Sequence, residues 1–267
     1  PESSDSITNA IEKTQESSLS SNAVPTMVDT PTAVKQASVA MIPPPVREEV
    51  DATAKPKTLP RGEDYEAMLG QVSVLGENLS EKQIVDLYGF LRTPLRDFKD
   101  MDAPTVASLK NQVMDKLLEQ QTLPADYSEE MIGLYRNRSN DRLLRNFAVQ
   151  HLDRYASALA IRGGYDATSG DAVKIRSTMD AASRETESSI GGTALLGLER
   201  LSKLDSKIDR NAIATRAATC AANASTHLQT RIAAVQLCGE MQIKSSVSTL
   251  RALADDQSAN TVLRLSA

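Results

Sequence analysis

A helical phrase that recurs in the second half of the chain constrains the fold more than any other feature. Leu144-Arg145-Asn146-Phe147-Ala148-Val149-Gln150-His151-Leu152 is followed by Thr230-Arg231-Ile232-Ala233-Ala234-Val235-Gln236-Leu237-Cys238, and then by Leu263-Arg264-Leu265-Ser266-Ala267. Each copy sets an Arg three residues before an Ala, with an apolar stripe along the same helical face. A weaker copy without the Arg lies between, at Thr193 to Leu201. A period of roughly 35 to 45 residues marks stacked helical pairs.

Around these copies the apolar spacing predicts first helices near 141–157, 189–204, 226–242 and from 259 onward. It predicts second helices near 171–186, 209–222 and 244–255. The second helices carry faces such as Ala172/Ile175/Met179/Ala182, Ile213/Ala217/Cys220 and Val247/Leu250/Ala254. Upstream, Ser80-Glu81-Lys82-Gln83 has the form of a capping box, and Ile84, Leu87, Tyr88 and Leu91 make one face of a helix that Pro94 ends. Asp102 and Pro104 open the next, a cap followed by a proline whose missing N–H costs nothing in the first turn. A short helix follows from about Ser128 to Arg136.

With few aromatic residues, abundant Ala and no alternating strand pattern, the fold class is all-α. Residues 1–62 stand apart: they lack aromatics, hold most of the prolines and cannot offset the backbone entropy of ordering, so they read as a disordered tail or tether. Residues 63–139 form an acidic helical leading region and 140–267 the repeats, the last of them incomplete. The chain is therefore expected to continue past Ala267, because Val262, Leu263 and Leu265 open a first helix without its partner.

The repeats resemble HEAT repeats. The resemblance rests on Asp255-Asp256, Leu263-Arg264 and Ala267, with the fuller counterpart Arg231 to Gly239 followed by Val247, Leu250 and Leu253. The stretch Leu79 to Leu152, with Leu87-Tyr88-Gly89-Phe90-Leu91, is similar to the leading part of uncharacterised bacterial HEAT-repeat proteins. The resemblance implies an armadillo-like α-α superhelix, and a polar ladder between repeats in which Asp141 pairs with Arg145 and Asp256 with Arg264. It says little about function.

Chemistry is sparse. His151 and His227 each stand alone, so structural or surface roles are expected, and no motif calls for a metal or a cofactor. Gly163-Gly164 and Gly191-Gly192 lack the strand and the Lys-Ser/Thr of a phosphate loop and read as turn and helix-start glycines. Cys220 and Cys238 are expected to be unbridged, since a helical hairpin separates them by about 13 Å along its axis, beyond the roughly 7 Å reach of a disulfide. The Gly163–Gly170 connection is the loop with most scope for a function of its own.

One constellation points to binding. Arg176, Arg216 and Arg251 fall at similar positions on successive second helices, with Arg184 near the end of the first of them, and in a HEAT-like stack they would form a row on the concave surface. Such a row suits an acidic peptide, a carboxylate-rich glycan or phosphate, the alternative being solvated guanidinium groups that keep the helices soluble. As exposed charges, their reversal is expected to leave the melting point nearly intact. The leading reading is a non-enzymatic scaffold or adaptor for a protein or peptide; the alternative is a HEAT-like lyase or accessory enzyme with a groove site. Nucleic-acid binding is disfavoured by the net charge of −5. No apolar run is long enough to span a bilayer, so a membrane could be engaged only through an upstream anchor. A Ser/Thr/Pro-rich segment before a folded domain leans the reading toward a bacterial cell envelope or periplasm.

Overall fold

The computed structural model describes residues 65–267, so the tether expected over 1–62 lies outside the described residues. Those described contain helices and no strand: α1 (Tyr65–Ser73), α2 (Glu81–Arg92), α3 (Ala103–Leu118), α4 (Tyr127–Arg136), α5 (Arg142–Ile161), α6 (Gly170–Ala182), α7 (Ser189–Leu201), α8 (Arg210–Ala222), α9 (Leu228–Glu240), α10 (Val247–Asp255) and α11 (Thr261–Ser266). Local signals set several of these starts. The Ser80 hydroxyl accepts the Gln83 N–H at 3.3 Å while the Gln83 side chain accepts the Ser80 N–H at 2.8 Å, closing the capping box at α2. Asp102 accepts the Thr105 N–H at 2.9 Å ahead of α3, with Pro104 in its first turn. The spacing did not predict α1, which turns only Met68 and Val72 inward and packs on α3.

Two rows of helices arise from the alternation. The odd-numbered helices pack each on the next from α1 to α11; in the other row α2 packs on α4, α4 on α6, and α8 on α10. Apolar side chains form one core from Met68 in α1 to Leu263 in α11, and it runs through position 140 without a break, since α3 and α4 both pack on α5. Cys220 and Cys238 are buried in this core as free thiols.

Three of the helical hairpins close with the same linker. Between α4 and α5, α8 and α9, and α10 and α11, an Asx residue accepts the N–H of a Ser two positions on: Asn137 from Ser139 at 3.1 Å, Asn223 from Ser225 at 2.9 Å, Asp256 from Ser258 at 2.9 Å. The repeated Arg follows eight residues after the Asx, and its Nε returns to a carbonyl in the last turn of the preceding helix. Arg145 donates to Tyr135 O at 2.8 Å, Arg231 to Ala221 O at 2.9 Å and Arg264 to Ala254 O at 3.5 Å. Each Arg thus satisfies a helix-end carbonyl that has no intrahelical donor.

This corrects the expected Asp–Arg ladder. Asp141 instead caps α5 through the Leu143 N–H at 2.7 Å, and Asp256 holds its own turn. The physical reason is proximity: each Arg lies beside the C-terminus of its own partner helix, where carbonyls need donors.

The α6–α7 hairpin departs from the scheme. Its linker is Ser183 to Ser188, and Gly191 stands where the Arg would be, three residues before Ala194. A Cβ at Gly191 would lie 2.7 Å from Glu185 O, so only glycine fits. The α7 N-terminus is served from α9 instead: the fully buried Thr230 hydroxyl accepts the Gly192 N–H at 2.9 Å and donates to Ser188 O at 2.6 Å. These glycines are close-approach positions as well as helix-start residues. Gly192→Ala would set a Cβ 2.8 Å from Thr230 Cα and 3.1 Å from Ala233 Cβ. Prising α7 from α9 should cost about 2 kcal/mol net, even though Ala favours helix by roughly 1 kcal/mol. Gly133→Ala in α4, where a Cβ meets nothing within 4 Å, should instead stabilise the chain. Denaturant unfolding of the two variants would reveal the opposite signs, and equal shifts would show that α7 and α9 can part freely.

Candidate functional site

The four candidate arginines divide by what they touch. Arg176 on α6 is mostly buried; its Nη1 donates to Ala167 O at 2.8 Å and pairs with the buried carboxylate of Asp205. Asp205 also accepts the Tyr165 hydroxyl at 3.0 Å and the Lys207 N–H at 2.9 Å. Burial alone would raise the Asp205 carboxyl, but these bonds hold it below its ordinary value. Arg176 therefore clamps the α5–α6 connection, including most of the Gly163–Gly170 loop, to the α7–α8 connection.

Arg216 on α8 reaches across to α6. It donates to Asp180 at 3.0 Å and to the Ser183 hydroxyl, while Arg184, in the linker just past α6, holds the other Asp180 oxygen at 2.9 Å. Burial pushes the Asp180 carboxyl up, and the bonds from Arg184 and Arg216 more than reverse it. Arg251 stands apart, exposed on α10 and without an ion-pair partner among the described residues.

A cleft of about 260 Å³ opens where α6 and α8 fail to close on one another, with Leu198 of α7, Ile208 and Ile213 among its lining residues and Arg176, Asp180, Lys207, Asp209 and Arg216 supplying its charges. It gathers two of the four candidates, places Arg184 beside them on Asp180, and leaves out Arg251. No family model, curated protein or solved structure matches the chain.

The expected row of free guanidinium groups is thus corrected at Arg176 and Arg216. Their side chains are 17% and 18% exposed and each bridges two elements, so reversing Arg176 would strand the buried Asp205 carboxylate, while reversing Arg216 would set a like charge against Asp180 and break the α6–α8 tie. Lys207, which sequence reading passed over, is the exposed cation at the cleft without an ion pair among the described residues. A single loop lysine carries no periodic signal that could have marked it. His151 is fully buried, out of reach of any ligand. Among the described residues no cluster of three or more His, Cys, Asp or Glu could hold a metal ion, and no helix is long and apolar enough to cross a membrane.

Proposed function

We propose that the chain is a HEAT-like α-α solenoid serving as a non-enzymatic scaffold, and that the row of even-numbered helices receives an acidic protein or peptide. The observation that carries this reading is the α6–α8 cleft, with an apolar lining and a polar rim in which Arg184 and Arg216 share one carboxylate. A partner carboxylate can take the place of Asp180 on either guanidinium, and Lys207 adds an unspent charge. Arg251, on the helix that packs against α8, extends the surface toward α10. Exchange of one carboxylate for another carries a small net energy and favours a broad, charge-tuned interaction.

The test reverses only the unpaired cations. Affinity capture with the full chain as bait should retain a specific acidic partner. Lys207→Glu with Arg251→Glu should weaken that capture by about tenfold or more, with the melting point unchanged, because rim charges act on binding far more than on folding. Raised salt should weaken the same interaction. A partner held equally well by the double reversal would refute this surface.

A further inference from the structure

A second cavity, of about 320 Å³, lies between the turn after α2, helix α3 and the α4–α5 linker. Its size falls within the roughly 300–1,000 Å³ of small-molecule sites. Pro94, Leu95, Val106, Ala107 and Leu144 supply apolar wall, and Lys110 of α3 lines it as well.

Lys110 is only 2% exposed. An ammonium group carries three N–H donors, and here one is spent on Thr93 O at 2.6 Å while Nζ sits 5.4 Å from the centroid of the Phe98 ring. Among the described residues it has no other hydrogen-bond acceptor and no carboxylate at ion-pair distance. The other charged groups at the cavity are already engaged: Arg92 is paired with Glu130, and Asp141 accepts the Leu143 N–H. A buried cation without an anion is costly unless something supplies one.

We propose that this cavity binds a small monocarboxylate with an apolar body, its carboxylate accepting from the Lys110 ammonium and its hydrocarbon lying against Leu95, Val106 and Leu144. A monoanion fits better than a phosphate, because the cavity offers one unspent cation and has Asp141 in its wall and Glu130 beside it on Arg92. Burial brings the Lys110 pKa down to about 8, which leaves the amine charged at neutral pH and short of a counter-ion. The bond to Thr93 O also serves the C-terminus of α2, a purely structural role that the experiment separates from binding.

The full chain is titrated with 4-methylpentanoate and with its neutral counterpart 4-methylpentanamide, following the Lys110 Cε–H NMR signals and the melting point. The carboxylate should saturate with a Kd on the order of 0.1–1 mM, the amide binding at least tenfold more weakly. Lys110→Met should abolish the preference for carboxylate while holding or raising the melting point, since a buried charge is gone. Leu95→Asp, at a half-exposed wall position, should weaken both ligands through the lost apolar contact and the carboxylate several-fold more than the amide through repulsion, and serves if the first variant fails to fold. Absence of saturation by about 20 mM carboxylate, equal binding of the amide, or carboxylate affinity unchanged in both variants would overturn the proposal.

Discussion

Replacing Glu185 with Ala should lower the unfolding free energy by about 3–5 kcal/mol, the cost of stranding a buried charge. The Glu185 carboxylate is buried in the α6–α7 linker, where it accepts the Tyr135 hydroxyl at 2.7 Å and an Arg145 Nη2 at 2.8 Å, with Arg138 Nη2 at 2.9 Å. Burial raises its pKa and those donors lower it further than burial lifts it, so it is ionised and fully used at neutral pH. Its removal leaves Arg145, 5% exposed, with the Tyr135 carbonyl and the face of the Tyr135 ring but no anion. Arg145→Met combined with Glu185→Ala should cost clearly less than the sum of the two single changes, because no charge is then left alone. Chemical denaturation of the four proteins measures this. A loss below about 1 kcal/mol for Glu185→Ala would mean that solvent reaches Arg145 on relaxation.

Acid should destabilise the chain first through His151. The ring is fully buried, with the Tyr127 hydroxyl 2.6 Å from Nδ1 and Asn111 Oδ1 3.0 Å from Nε2. Because Asn111 turns its amide nitrogen to Asp115, the fitting tautomer has Nε2–H donating to Asn111 and Nδ1 accepting from Tyr127. Burial, with help from the Arg154 charge, brings the His151 pKa from 6.5 down to about 3. The unfolded chain therefore binds a proton that the folded chain refuses across that interval. Stability is complete above pH 6.5 and falls by about 1.4 kcal/mol per pH unit below it, on the order of 4 kcal/mol by pH 3.

Glu185, Asp180 and Asp205, whose pKa values are depressed, lose their contribution only as pH falls below the ordinary carboxylate range, whereas Asp153, raised by burial, acts in the opposite sense. The comparison is therefore with His151→Gln, which keeps those carboxylates and removes the imidazole. The difference in stability between the two proteins should shrink by about 2.5 kcal/mol from pH 6.5 to 4.5. Parallel curves would show that the imidazole titrates normally in the fold.

Much of the secondary structure was legible because it rests on neighbours in sequence. Ser80 with Gln83 and Asp102 with Pro104 announce helix starts within four residues, and the periodic faces place α5 to α11 within a few positions of their ends. The roles of the arginines were less legible for a physical reason. The Nε partner of Arg145, Arg231 and Arg264 is a backbone carbonyl, which every residue possesses, so residue identity gives no sign of it. Arg176 and Arg216 find Asp205 and Asp180 at separations of 29 and 36 residues, and periodicity reports which face a cation occupies but not whether a carboxylate meets it. Lys110 sits four residues after Val106 and three before Val113 on a face that reads apolar, yet only the packing of α2 and α4–α5 around it makes its charge conspicuous.

The arginine ties also bear on the order in which the chain assembles. Each spans ten residues of sequence, a short loop with a small closure entropy, so the α4–α5, α8–α9 and α10–α11 pairs can form from within. The α6–α7 pair has no such tie, and the cap on α7 comes from Thr230, 38 residues beyond Gly192. The full capping of α7 therefore depends on the pair that follows it, which couples the α6–α7 hairpin to α9 across a longer stretch of sequence than any of the arginine ties.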